Sequence, residues 1–479
     1  MPKEKLLFAA SEVYPFAKSG GLADVAHSLP RALHSMYDIH VVMPLYRFIE
    51  REHFGIVSLG ISFDIEMGGY FYPVELYGCR YEGMEYRFIH TPLLCERDFI
   101  YGPPESGYTD NALRFGLFNH AMLALLKQEK YLLAHLNDWQ SALLPLLIQE
   151  EGSLSTKTVF TIHNLAYQGV FEQSVLQEIG IPEKYFTLHA LEFYGKVNFM
   201  KAGIAYADAV TTVSPTYAKE ILTAEYGCGL EAFLAEHKQK LFGILNGLDS
   251  EHFLPSKDTL LFFPYHDTRG KSVNKKAYLE TVDFQGLHTP LFIFIGRFNW
   301  QKGLELFIES LDWIASQACN IAILGEGEIK YHKALEQIAD RHENIHLEFG
   351  YDEMLSHRMY AAADFFLMPS LFEPCGLAQM IAMNYGQMPI VHAVGGLADT
   401  VFDYQDFNKN STRGYGITFK TASSNALQYA VSEALELYSN KERYNKIVEH
   451  NMHCDFSWQE SARAYLALYT KITEEGNHG

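Results

Sequence analysis

Two successive series of short apolar runs, alternating with helical stretches, constrain this chain more than any other feature of its sequence. The first series holds Leu6–Ala10, Ile39–Met43, Leu132–Leu136, Thr158–Ile162 and Ala209–Val213. The second holds Leu291–Ile295, Asn320–Leu324, Ile345–Phe349, Phe365–Met368 and Ile390–His392. Strands that alternate with helices pair in parallel, and a parallel sheet needs helices on both faces. The helices predicted between them include Leu22–Met36, Asn111–Lys127, Gly303–Ala315 and Ala378–Tyr385. Turn residues gather at Gly243-Ile244-Leu245-Asn246-Gly247-Leu248-Asp249, between the two series. The chain has 479 residues, more than one core normally supports. The expected architecture is α/β, with two doubly wound Rossmann-like domains facing each other across a cleft, divided near residues 244 and 245. Residues Phe54–Phe88 alternate aromatic and polar types and read as an antiparallel hairpin insertion. The polar segment leading up to Thr289 shows no clear pattern.

Composition narrows the function classes. Net charge is −20, which argues against nucleic acid or an anionic membrane as partner. The six cysteines lie far apart with no metal-ligand spacing, as expected of reduced thiols in a cytoplasmic protein. Leu6–Ala10 is too short for the apolar core of a signal peptide. No HExxH, no clustered Cys and His and no Gly-x-Ser-x-Gly elbow occurs, so metallohydrolase and serine-hydrolase chemistry lack their residues. Neither a P-loop nor a dinucleotide fingerprint is complete: Tyr265 and Lys330 stand where glycines are needed. No metal and no cofactor is expected.

Five places carry residues suited to chemistry, each past an apolar run. Ligands of open α/β sheets bind at the carboxyl ends of strands. Lys18-Ser19-Gly20-Gly21-Leu22 offers a cation and glycine amides at a helix start, suited to phosphate or sugar; the plain alternative is a structural turn. Gly296-Arg297 and Lys302-Gly303 place two cations where both can reach a diphosphate, Arg297 as a fork and Lys302 as a point charge; alternatively both are solvated surface cations. Phe372-Glu373-Pro374-Cys375-Gly376-Leu377 sets a carboxylate at a strand-to-helix turn. Glu373 either accepts sugar hydroxyls beside an anion site or offsets the helix macrodipole. His163, followed by Asn164, can hydrogen-bond a substrate hydroxyl or act as an acid or base. Asp138, in Asn137-Asp138-Trp139, reads as a helix N-cap that can also serve a site.

Together these pieces resemble the bacterial glycogen synthase and plant starch synthase family. The resemblance runs from Leu6 to Tyr469. It includes Ser11-Glu12-Val13-Tyr14-Pro15, Lys18-Ser19-Gly20-Gly21-Leu22-Ala23-Asp24-Val25, Asn137-Asp138-Trp139 and Thr161-Ile162-His163-Asn164. It continues through Asn246-Gly247-Leu248-Asp249, Gly296-Arg297 with Lys302-Gly303, the Glu373 turn, Gly395-Gly396-Leu397-Ala398-Asp399-Thr400-Val401 and Phe456-Ser457-Trp458.

The resemblance implies a glycosyltransferase of GT-B type that moves glucose from ADP-glucose to the non-reducing end of an α-1,4-glucan such as glycogen, with retention of configuration. It implies domains 1–244 on the acceptor side and 245–456 on the nucleotide-sugar side, with 457–479 as a helix crossing back to the first. Arg297 and Lys302 would hold the diphosphate, and Glu373 the glucosyl hydroxyls beside Cys375 and the amides of Gly376 and Leu377. Lys18, Gly20 and Gly21 would face donor and acceptor, and His163 the transferring glucose. Glu12 and Asp138 would lie around the acceptor end, with Asn246 among the binding residues. Ile381 stands where retaining relatives often carry a second Glu, and Ala378 where a Thr often follows the Gly-Leu pair. A UDP-glucose-dependent synthase and a catalytically silent glucan-binding protein of the same fold are the alternatives. Oligomeric state is left open, as is the choice between a covalent intermediate and same-face attack.

Overall fold

Leu6, Leu7 and Phe8 are consecutive and all fully buried, as are Phe292 and Ile293. Consecutive strand residues point to opposite faces, so each sheet is covered on both faces at these central strands. That is why the strands read as unbroken apolar runs. The computed structural model describes residues 3–103, 106–249 and 251–475. The chain divides into two units, Met1–Gly247 with Trp458–Gly479, and Leu248–Ser457.

The first unit contains β1 (Lys5–Ala9), β2 (Asp38–Pro44), β3 (Val57–Met67), β4 (Tyr70–Tyr81), β5 (Met84–His90), β6 (Leu133–Asn137), β7 (Lys157–Ile162), β8 (Val170–Phe171), β9 (Glu192–Phe193), β10 (Lys196–Asn198), β11 (Ala209–Thr212) and β12 (Leu241–Gly243). Nine of these form one sheet in the order β12-β11-β7-β6-β1-β2-β5-β4-β3; β8, β10 and β9 make a small sheet of their own. The segment expected as a hairpin insertion is instead the edge of the main sheet. β3, β4 and β5 pair antiparallel, but β5 also pairs parallel with β2. The alternation that betrayed the antiparallel pairs carries no information about which strand they join.

The second unit contains β13 (Leu291–Phe298), β14 (Asn320–Gly327), β15 (Ile345–Phe349), β16 (Phe365–Met368), β17 (Met388–His392), β18 (Val401–Asp403) and β19 (Gly414–Phe419). They form a wholly parallel sheet in the order β15-β14-β13-β16-β17-β19-β18. Phe292, Phe294, Phe365 and Leu367 join the core on one side, while Leu291, Ile293, Phe366 and Met368 join that on the other.

In both sheets the chain starts in the middle and winds outward in both directions. The order reverses between β1 and β6 in the first unit and between β13 and β16 in the second. Such switch points leave a crevice at the strands' carboxyl ends.

The segment expected to be unpatterned contains the helix Thr268–Thr281, capped by Asp267, whose carboxylate accepts from the Gly270 amide at 2.8 Å. Three of its five buried residues, Lys271, Asn274 and Lys275, are polar, which blurs the helical period. Lys271 donates to the carbonyls of Ala361 and Tyr385, and Lys275 pairs with Asp364 at 2.6 Å. Burial pushes the Lys271 ammonium down to about 7. The C-terminal helix Trp458–Glu475 belongs to the first unit. There the Tyr469 hydroxyl meets His135 Nδ1 at 2.5 Å. Among the described residues, no helix is long and apolar enough to cross a membrane.

Candidate active site

In the second unit the switch point brings two of the expected residues into contact. Lys302 follows β13 and Glu373 follows β16, and Lys302 Nζ lies 2.6 Å from Glu373 Oε2. The same carboxylate oxygen accepts from Ser370 Oγ at 2.9 Å. Glu373 is 9 % exposed and Lys302 28 %. Asn299 shapes the cation's turn, its side chain accepting from the Lys302 amide at 3.2 Å. The two loops are bound together by their backbones: the amides of Leu371 and Phe372 donate to the Gln301 carbonyl. Gly303 explains how close they come. Its φ is +69°, and a Cβ there would sit 2.0 Å from the Pro369 carbonyl oxygen. Only glycine allows both that conformation and that approach.

Glu373 caps no helix. The N-cap position of the helix Ala378–Asn384 is Leu377, with no side-chain cap, so the Glu373 carboxylate serves Lys302 and Ser370 instead. Gly376 turns the chain into that helix at φ +71°. The first amides of a helix have no intrahelical acceptor; in this one they belong to Leu377 and its successor, four and five positions after Glu373 in the chain. Cys375 is buried, its carbonyl accepting from Gln379 Nε2. The backbone of Glu373 is held by the second glycine pair, the Gly396 amide donating to the Glu373 carbonyl at 3.1 Å. Arg297, near the end of β13, is exposed and has no ion-pair partner among the described residues.

In the first unit the carboxyl ends of β1, β6 and β7 gather Glu12, Asp138 and His163. The Asp138 carboxylate accepts from the His163 amide at 2.8 Å, so it ties the β6 and β7 ends together rather than capping a helix. The backbone of Asp138 is at φ +55°, a costly conformation outside glycine. Burial pushes its carboxyl up to about 7, against the amides of His163 and Asn164; the negative charge of Glu12 raises it further. Glu12 is itself buried and accepts from the Ser19 amide, which folds the Lys18 loop over it.

His163 is neutral. Burial pushes its imidazolium down to about 3. Asn137 Nδ2 donates to the Ala9 carbonyl, so its Oδ1 receives the proton of His163 Nε2 at 2.8 Å. Nδ1 is then the ring's acceptor. A ring in that state accepts a hydroxyl and does not supply a proton.

The remaining expected residues divide. Lys18 pairs with Asp24 at 2.7 Å and remains part-exposed. Gly20 is the extended N-cap of the helix Gly21–Leu33. Among the described residues, no atom beyond the chain next to Gly21 lies within 4 Å of where its Cβ would stand, so their packing does not require a glycine there. Asn246 is buried, and among the described residues its Oδ1 has no hydrogen-bond partner. Ser370, Asn137 and Tyr101 were not singled out. Tyr101 donates to or accepts from Ser11 Oγ at 2.8 Å, beside Glu12. Asn137 ends β6 beside Asp138, and Ser370 lies two positions past the end of β16; place at a strand's carboxyl end is the signal that marks both.

Residues 5–236 match the family model described as starch synthase catalytic domain, and residues 284–451 the one described as glycosyl transferases group 1. The glycogen synthase of Syntrophotalea carbinolica is 38 % identical, over 98 % of this chain and 99 % of its own. That of Aquifex aeolicus is 41 % identical over the same shares. The catalytic domain of starch synthase IV from Arabidopsis thaliana, bound to ADP and acarbose, superposes with a TM-score of 0.91 at 33 % identity, covering 99 % of this chain and 100 % of that one. These likenesses run the length of both units, and the chain belongs to the glycogen synthase and starch synthase family, hexosyltransferases of the two-domain GT-B fold.

Proposed function

We propose that the protein transfers glucose from ADP-glucose to the 4-hydroxyl at the non-reducing end of an α-1,4-glucan, with retention of configuration. The observation that carries this reading is the Lys302–Glu373 pair at the switch point of the second sheet: one cation and one carboxylate, 2.6 Å apart, beside a helix start. A nucleotide sugar presents the complementary arrangement, a diphosphate joined directly to a ring of hydroxyls. The solved relative that carries ADP supports the choice of nucleotide.

On this reading the donor is assigned to the second unit. Breaking the glycosyl–phosphate bond builds negative charge on the diphosphate and positive character on the sugar. Lys302, Arg297 and the amides of Gly376 and Leu377 stabilise the first; Glu373 faces the second. The groups are positioned before the reaction by Ser370, by the Gln301 carbonyl and by Gly303, so little reorganisation is needed at the barrier.

The first unit is assigned the acceptor and the transferring sugar's outer face. His163, neutral and an acceptor at Nδ1, takes a sugar hydroxyl. Glu12 and Asp138 lie at the acceptor end, and the open space at Gly21 admits a ligand atom where another residue would place a side chain. Lys18 borders that space.

Side-by-side kinetics with ADP-glucose and UDP-glucose, glycogen as acceptor and nucleoside diphosphate release as readout, test the proposal. ADP-glucose should give the far higher kcat/KM. A preference for UDP-glucose would overturn the donor assignment, and no diphosphate release from either would overturn the transferase reading.

A further inference from the structure

We propose that His252, Glu353 and His357 form a binding site for a divalent first-row transition metal, with zinc as its natural class of ion. Neither the reaction nor the likenesses above call for such a site. One ligand atom from each residue lies within 4.8 Å of the others. His252 stands more than a hundred positions from the other two, so no spacing in the sequence reveals the group. All three lie in the second unit, away from the Lys302–Glu373 pair in the chain.

Local structure explains how each is placed. Glu353 and His357 open the helix Glu353–Ala362 one turn apart, on one face. Asp352 caps that helix, accepting from the Leu355 amide at 2.8 Å. His252 sits in a turn fixed by Asp249, whose Oδ1 accepts from the amides of Glu251 and His252 at 2.9 and 3.2 Å. His252 Nε2 is 3.3 Å from Glu353 Oε1. That is about the separation of two ligands on one tetrahedral zinc with bonds near 2.0–2.1 Å. His252 and Glu353 are both partly exposed, so their side chains can rotate to close the remaining gap to His357.

An ordinary surface pair of His252 with Glu353 would make no demand on His357, and it is His357 that points to a metal. It is 2 % exposed, and its Nδ1 lies 2.7 Å from Asp258 Oδ2. The same oxygen accepts the Tyr385 hydroxyl at 2.5 Å, and the other accepts the Leu260 amide at 2.9 Å. Asp258 is thus buried, fully engaged and fixed. It holds Nδ1 as the protonated nitrogen, which leaves the Nε2 lone pair as the donor. A carboxylate behind the distal nitrogen is how metal-ligating histidines are oriented and made more basic. Phe253 stacks on His357 with ring centroids 5.3 Å apart, sealing its other side.

Two imidazoles and one carboxylate suit zinc or its neighbours and not magnesium or calcium, which prefer oxygen ligands. A metal there would tie the opening turn of the second unit, just past Leu248, to the helix Glu353–Ala362.

The test uses tag-free, full-length protein stripped with chelator and titrated with Zn²⁺ against a chromophoric competitor. One equivalent should bind. His252→Ala, a part-exposed change that leaves the fold intact, should weaken binding tenfold or more, and Glu353→Gln should do the same. Asp258→Asn, which touches no metal, should weaken it roughly 10–100-fold. X-ray absorption should show nitrogen and oxygen neighbours, and Zn²⁺ should raise the melting temperature of the parent protein but not of His252→Ala. Absence of stoichiometric binding, sulfur ligation by the free cysteines, or unchanged affinity in His252→Ala would each overturn the proposal.

Discussion

Lys302 Nζ reaches Glu373 Oε2 at 2.6 Å although the two residues lie 71 positions apart. The sheet order makes this contact: β13 and β16 are neighbours, the chain reverses direction of winding between them, and each loop delivers one charge. Two residues that sequence reasoning assigned separately, one to phosphate and one to sugar, are one electrostatic unit.

That pairing changes what Lys302→Ala should do. On the proposed function, removing the lysine takes a charge-assisted contact from the diphosphate, which should lower kcat by on the order of 10²–10³-fold. It also leaves Glu373 buried without its counter-ion. The cost should be about 1–3 kcal/mol of stability, less than for a fully buried pair because Lys302 is partly exposed. Lys302→Ala combined with Glu373→Gln should recover part of that stability and none of the activity. Denaturant titration of the three variants checks the cycle. Strict additivity of the two single changes would show that the pair is uncoupled.

Asp138 should leave a signature in the pH dependence of stability. Its carboxyl is raised from 3.8 to about 7, so the folded protein holds a proton that the unfolded chain has released. Stability from this group is present below the unfolded value and is lost as pH rises from about 4 towards 7. Asp138→Asn removes the titration while keeping an acceptor for the His163 amide. Its melting temperature relative to the parent should therefore climb between pH 5 and pH 8. A difference that does not vary with pH would contradict the raised carboxyl.

The two glycines should behave oppositely. Gly303→Ala puts a Cβ against the Pro369 carbonyl at a positive φ and should cost at least about 2 kcal/mol as well as activity. Gly21→Ala meets no protein atom and has an ordinary backbone, so its melting temperature should hold or rise. If a ligand occupies that space, KM should increase without a loss of stability. Thermal melts and steady-state kinetics on both variants separate the two roles. Unchanged KM in Gly21→Ala would remove that glycine from the binding residues.

The sequence made the sheets legible because strands buried on both faces read as unbroken apolar runs and because their helices follow in register. It also marked the strand ends, where Glu373, Lys302, Asp138 and His163 all stand. The partners of those residues were not legible. Nothing in the chain order says that Ser370 faces Glu373, or that Asn137 sets the His163 tautomer, since each depends on which strands become neighbours. The helix Thr268–Thr281 escaped because Lys271, Asn274 and Lys275 share its buried face with Tyr278 and Leu279 and break up the apolar period normally sought there. Asp138 has the composition of an N-cap, yet its carboxylate turns to the next strand's amide. His252, Glu353 and His357 converge only through folding.

On the proposed function, Glu373 acts on the transferring sugar through its charge. Glu373→Gln isolates that charge, because glutamine keeps the size and can still accept from Ser370 and Lys302. Three quantities on one purified variant decide: kcat with ADP-glucose and glycogen, ADP affinity, and melting temperature. kcat should fall by roughly 10²-fold or more, with ADP bound nearly as well, since ADP carries no glucose, and with the fold retained. A stable Glu373→Gln protein with undiminished kcat would contradict it.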